Sequence, residues 1–139
     1  MINIKLDDSH ISINDNSKSK KSILEKLSEI LSKSSGIDTD TIFTKLYDRE
    51  KLGSTSVGNG VAIPHARIEG IDYPFISIVT LENAVDFDNI DDFDVDIILC
   101  IIVPNDDSDN HLQLLASLSE MLDQVDIRQK LRQSRNSEQ

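Results

Sequence analysis

The sequence predicts an α+β fold, an α/β sandwich in which a central mixed β-sheet is flanked by helices on both faces. Three observations carry that expectation. The run Val-Asp-Ile-Ile-Leu-Cys-Ile-Ile-Val at residues 95–103 is almost continuously apolar, as a strand covered on both faces must be. Ile23, Leu24, Leu27, Ile30 and Leu31 recur at helical spacing, as do Leu112, Leu115, Leu118 and Leu122. Strand-like and helix-like segments are interspersed along the chain, so helices must pack on a sheet rather than on one another alone. A chain of 139 residues, 38% of them hydrophobic, suits one core, and residues 1–139 are expected to be a single domain.

The elements follow in order. Residues 2–13 alternate apolar and polar side chains around Asp7-Asp8-Ser9, the pattern of two short strands and a turn. Residues 19–33 form an amphipathic helix capped by Ser19 and stopped by Ser34-Ser35-Gly36. Asp38 or Thr39 caps a second helix, which turns Ile42, Phe43, Leu46 and Tyr47 inward and ends near residues 49–52. Residues 57–63 are expected as one strand broken by Gly58 and Gly60, and Pro64 holds Ile63 extended. Residues 75–81 are a further strand, and Pro104 ends the central one. An acidic loop at 105–110 leads into a helix over 111–124 and a short basic helix over 126–132. Residues 134–139 look like the start of another capped helix without a body.

Charge and composition exclude several functions. A net charge of −11 disfavours nucleic acid and anionic membrane surfaces, both of which are held by lysine and arginine clusters. No run reaches membrane-spanning length, and the first residues lack an apolar signal core. Cys100 stands alone, so no internal disulfide forms, and a cytoplasmic protein is expected. No cofactor or metal is expected either. Gly58-Asn59-Gly60 lacks the third glycine of a dinucleotide fingerprint, since Ile63 stands there, and no Gly-Lys-Ser/Thr follows. Asp92, Asp94 and Asp96 resemble half a calcium loop, but Ile97 and Val103 replace its glycine and glutamate, and the segment reads as a solvated loop entering a strand. Three histidines without a cysteine pair or a His-Glu-x-x-His give no zinc pattern, and no Gly-x-Ser-x-Gly elbow exists.

What remains is the segment from Arg49 to Arg67. His65 follows a short extended stretch and a proline, and Arg67 lies two positions on, on the same side of an extended chain. Arg49, Ser54 and Thr55 lie upstream, and Gly58 and Asn59 let the backbone approach an anion closely. Cations beside an imidazole oppose its protonation and keep the nucleophilic neutral form. Guanidinium groups and amides can then stabilise a phosphoryl group attacked in line by a ring nitrogen. His111, at the expected start of a helix, can donate a hydrogen bond to a phosphoryl group on His65. His10, in the N-terminal hairpin, has no chemical neighbours and reads as surface.

The run Arg49-Glu50-Lys51-Leu52-Gly53-Ser54-Thr55-Ser56-Val57-Gly58-Asn59-Gly60-Val61-Ala62-Ile63-Pro64-His65 closely resembles the signature of the bacterial phosphotransferase-system enzyme IIA family, fructose/mannitol class. Within that family it is most similar to the nitrogen-regulatory enzyme IIA. The resemblance spans about residues 20–134 and includes Val103-Pro104 and His111-Leu112-x-x-Leu115. It implies a phosphohistidine carrier in which His65 is the phosphoacceptor, Arg49 the phosphate-stabilising arginine and His111 the second histidine of the site. The implied donor is a histidine-containing phosphocarrier protein, charged from phosphoenolpyruvate through enzyme I. The implied acceptors are regulatory target proteins, or a IIB domain if the protein is instead a sugar-specific enzyme IIA for fructose or mannitol. A third reading is a regulatory binding module without phosphoryl chemistry. Two departures from the family pattern stand out: Ser56 occupies a position where glycine is expected, and the family's final C-terminal helix is expected to be lacking.

Overall fold

The computed structural model describes residues 11–15, 19–72, 74–87, 94–104 and 108–133, with side chains from residue 19 onward except those of residues 108–112 and 133. Among the described residues, ten elements occur in the order β1 (Ile11–Asp15), α1 (Lys20–Ser35), α2 (Thr39–Leu52), β2 (Ser56–Gly58), β3 (Val61–Ala62), β4 (His65–Ile68), β5 (Phe75–Val85), β6 (Val95–Pro104), α3 (Ser108–Leu122) and α4 (Val125–Gln133). The strands form one mixed sheet in the order β1-β5-β6-β3-β2, with β4 also paired to β6. The expected N-terminal hairpin lies largely outside the described residues. Its second strand is β1, which runs parallel to β5 with Ile11 opposite Ile78. His10, Asp92 and residues 134–139 also lie outside them.

The central strand explains the sandwich. Along β6, Ile98, Cys100 and Ile102 join one core with the buried stripe of α1 and α2. Ile97, Leu99, Ile101 and Val103 alternate into a second core with Leu114, Leu118 and Leu122 of α3. Both faces are therefore buried, and burying each of these side chains stabilises the fold by about 1.5–3 kcal/mol. The α1 stripe is as expected: Ile23, Leu24, Leu27, Ile30 and Leu31 are all buried. Ser19 caps α1 by accepting from the Ser22 N–H, and left-handed Gly36 closes it. Asp38, rather than Thr39, caps α2.

Four expectations need correction. Tyr47 is exposed, because it stacks on Phe43 at the flank of the α2 stripe and lies under Lys51 Nζ. Helix α3 begins at Ser108 and not at His111, so it takes in Ser108, Asp109 and Asn110, residue types that helix N-termini favour. Leu114 is fully packed whereas Leu115 is only partly buried, so the apolar face of α3 is rotated from the expected stripe. Residues 57–63 are not one interrupted strand. Asn59 (φ 58°) and Gly60 (φ 80°) reverse the chain, so that β2 and β3 pair antiparallel. Asn-Gly is the dipeptide best suited to two successive positive φ angles.

A clamp holds that turn. Arg132 of α4 donates from Nε to Asp96 Oδ2 at 2.9 Å and from Nη2 to the Asn59 carbonyl at 2.7 Å. The Gly60 carbonyl accepts from the N–H groups of Asp96 and Ile97. Asp96 is thus an anchor and not merely a solvated loop residue. A Cβ on Gly60 would lie 2.5 Å from Arg132 Nη2 and 3.0 Å from Asp96 Oδ1. Gly60→Ala is therefore expected to destabilise the protein by about 1–3 kcal/mol, from the unfavourable φ and the displaced clamp. A denaturation midpoint equal to that of the wild type contradicts this.

Candidate functional site

β3 and β4 run end to end along one edge of β6, with Val61 beside Ile97 and His65 beside Ile101. Ile63 and Pro64 make the join, and the Pro64 carbonyl accepts from the Ile101 N–H at 3.0 Å. His65 is the first residue of β4, at the point where the chain re-enters the sheet. Ala66 and Ile68 point into the core shared with α1 and α2, which leaves His65 and Arg67 on the opposite face.

A cleft of about 200 Å³ opens at this edge. His65 and Arg49 line it, together with Ser54 and Thr55 of the loop after α2 and Leu115 and Ser119 of α3. Arg49 sits in the last turn of α2 and donates from Nη1 to the Gly53 carbonyl at 2.8 Å, which fastens the guanidinium to the loop. The loop is also fixed from below. Ser54 Oγ donates to the Phe87 carbonyl at 2.6 Å and accepts from the Ser56 N–H at 3.1 Å. Ser56, at the position where glycine was expected, is buried, and its hydroxyl has no hydrogen-bond partner among the described residues.

The imidazole is oriented through its own backbone. Nδ1–H donates to the Ile63 carbonyl at 2.9 Å, so in the neutral ring the lone pair belongs to Nε2. Burial lowers the His65 pKa below its ordinary 6.5. The hydrogen bond to Ile63 works against that, the Arg49 charge adds to it, and the Glu50 carboxylate opposes it. The net direction favours the neutral ring at pH 7.

The structure brings four of the expected site residues to one cleft: His65, Arg49, Ser54 and Thr55. Arg67 shares the face of His65 but is exposed and stands outside the cleft lining. Gly58 and Asn59 belong to the β2–β3 hairpin and line a neighbouring groove with Glu120 and Asp123. Their glycine-rich character serves the chain reversal. The backbone of His111 lies in the first turn of α3, and its side chain is outside the described residues. Sequence reasoning overlooked Glu50. Its signal was present, because Ile42, Leu46 and Glu50 fall at successive i+4 positions and all three are buried. A carboxylate on the buried stripe of a helix marks a group held for a purpose.

Fold and cleft together define a class: a small α/β sandwich that presents a histidine beside an arginine at the edge of its sheet. The chain belongs to the family described as "Phosphoenolpyruvate-dependent sugar phosphotransferase system, EIIA 2", which it matches over residues 5–139. It is 40% identical over 121 residues to a nitrogen regulatory protein of Pseudomonas aeruginosa, covering 86% of this chain and 79% of that one. Among solved structures it is similar to the nitrogen regulatory protein IIA-Ntr of Neisseria meningitidis. That likeness has a TM-score of 0.88 and 34% identity, over 94% of this chain and 89% of the other. The mannitol enzyme IIA of Escherichia coli, solved in complex with phosphorylated enzyme IIB, shares the fold at a TM-score of 0.79 and 20% identity, over 96% of this chain and 92% of its own. Among the described residues no helix is long and apolar enough to cross a membrane.

Proposed function

We propose that this protein is a phosphohistidine carrier of the phosphotransferase system that takes a phosphoryl group onto Nε2 of His65 and acts on the nitrogen-regulatory side of that system. The observation that carries the reading is the Nδ1–H to Ile63 hydrogen bond in a cleft shared with Arg49, since it hands the lone pair to Nε2 beside a guanidinium. The donor is a histidine-containing phosphocarrier protein. As the bond from phosphorus to Nε2 forms, the donor's phosphorus–nitrogen bond breaks, and its ring nitrogen leaves with the electron pair. Nδ1–H stays on the His65 ring, which takes positive charge and leans harder on the Ile63 carbonyl. Arg49 balances the charge on the phosphoryl oxygens. His111 is proposed as a further donor to the phosphoryl group. The likeness to relatives named nitrogen regulatory proteins supports regulation as the output; target proteins read out by phosphorylation state and a cytoplasmic location belong to the same proposal.

The test is transfer from the phosphorylated carrier protein, followed by a chase with enzyme IIB proteins for fructose and mannitol. Label that enters and then stays, with no rapid passage to IIB, supports the regulatory role. Rapid passage to one IIB makes the protein a sugar-specific enzyme IIA. No label from any competent donor leaves a binding module.

The lowered His65 pKa gives a pH prediction. Neutral imidazole is the acceptor, so the transfer rate is expected to be level through neutrality and to fall only below pH 6.5. Stability follows the same sign. The folded ring binds its proton less readily than the unfolded one, so this histidine's contribution is present above the unfolded value and is lost as pH falls through the folded one. A rate that rises on acidification through this range contradicts the assignment.

A further inference from the structure

Glu50 is a buried carboxylate that the transfer chemistry leaves without a task. Its side chain is 3% exposed and accepts from Lys20 Nζ at 2.8 Å. Both carboxylate oxygens are engaged. Oε2 meets Lys20 and the Thr55 N–H, the latter at 3.3 Å, and Oε1 accepts from the Thr55 hydroxyl. The Thr55 carbonyl accepts from the Ile63 N–H at 3.0 Å. The Ile63 carbonyl accepts from His65 Nδ1–H at 2.9 Å. These bonds form one unbroken chain from the start of α1, through the end of α2 and the loop, to the imidazole. Lys20 is held from a second side, because its Nζ lies 4.8 Å from the centroid of the Phe87 ring, and the Phe87 carbonyl fixes Ser54.

We infer that Glu50, anchored by Lys20, is the positioning residue of His65, fixing the ring's tautomer and orientation through Thr55 and Ile63. The inference rests on His65 being the phosphoacceptor. The arrangement does by relay what a carboxylate directly on Nδ1 does in other histidine sites, where the orienting group sets which nitrogen carries the lone pair. The charge matters as well as the geometry. A phosphorylated ring that keeps Nδ1–H is cationic, and a buried carboxylate nearby favours that state. The field of Glu50 reaches well beyond Thr55: it acts on His65 and also on Cys100 of β6, whose thiol is pushed up first by burial and then by this carboxylate. Among the described residues, the charges that act on the His65 ring are those of Arg49 and Glu50, both from the end of α2.

Glu50→Gln tests this. Glutamine keeps the shape but has one acceptor oxygen where Glu50 uses two, so with that oxygen on the Thr55 N–H the Thr55 hydroxyl must reverse and accept from the amide, and the charge is gone. The ring of His65 is read by 15N NMR across pH in the unphosphorylated protein, and the transfer rate is read separately with the phosphocarrier. The expected result is a lower ring midpoint, a mixed tautomer and transfer slower by roughly 10- to 100-fold at unchanged KM, with thermal unfolding still cooperative; the range is taken by analogy with the loss of a group that orients a metal-ligating histidine. If the single variant fails to fold, the Lys20→Met, Glu50→Gln double variant removes both charges, and the tautomer is read there. A titration and tautomer identical to those of the wild type, in whichever variant folds, overturn the inference. A ring that responds to Glu50→Gln, while the wild-type protein accepts no phosphoryl group, upholds the positioning chain and rejects the proposed function.

Discussion

Replacing His65 by alanine is expected to abolish phosphoryl acceptance while leaving the fold in place. The fold survives because His65 holds its place in the sheet through backbone pairing of β4 with β6, which alanine keeps. The side chain is only partly buried, and its one hydrogen bond given by Nδ1 ends on the Ile63 carbonyl at the cleft, so truncation costs roughly 1 kcal/mol. Among the described side chains of the cleft, no neighbour can replace the imidazole. Ser54 gives its hydroxyl to the Phe87 carbonyl, which is no base, and Thr55 gives its own to a Glu50 carboxylate whose charge is already held by Lys20, so neither is an activated nucleophile. The measurement is intact mass after incubation with phosphoenolpyruvate, enzyme I and the phosphocarrier protein. Wild type is expected to gain one phosphoryl group and His65→Ala none, with both unfolding cooperatively at similar temperatures. Equal labelling of the variant removes His65 as the acceptor.

How much of this was legible in the sequence depends on which physical effect decides each element. Burial on both faces leaves a nearly continuous apolar run, so β6 was readable from residues 95–103 alone, and it fixed the sandwich. Ser19 and Gly36 mark the ends of α1 through local chemistry and were readable for the same reason. The β2–β3 hairpin was obscured because the strands around Asn59-Gly60 are only two and three residues long, too short for any periodicity to show. The chain reversal there was signalled by the dipeptide and not by the flanking pattern. Leu114 and Tyr47 were misplaced because helix rotation by a fraction of a turn is set by tertiary packing, which a stripe of leucines or aromatics does not encode. At the site, His65 and Arg49 stood out by residue type and motif. The chain that orients the ring did not, since three of its hydrogen bonds run through backbone groups of Thr55 and Ile63, which carry no signature.

Arg49→Ala is expected to slow phosphoryl transfer by ~100-fold, the cost of removing one pre-positioned group from developing charge in a transition state. The guanidinium is already tied to the Gly53 carbonyl by Nη1, so little conformational freedom is lost when its remaining donors meet phosphoryl oxygens. Arg49→Lys is expected to recover only part of the rate, because an ammonium keeps the charge but lacks the fork that matches two oxygens. The substitution has a second effect, and its sign separates the two roles. Arg49 holds the His65 pKa down, so its removal raises that pKa and moves the acid limb of the rate profile to higher pH. Glu50 acts on the same ring in the opposite sense, and its neutralisation moves the limb to lower pH. Rates compared on the plateau above both limbs then isolate the interaction with the phosphoryl group from the protonation of the acceptor. A plateau rate for Arg49→Ala equal to that of the wild type removes Arg49 from the chemistry, whatever the limb does. A slowed plateau with oppositely displaced limbs is what two charges flanking one imidazole require: the arginine stabilises the group in transit, and the glutamate the ring that receives it.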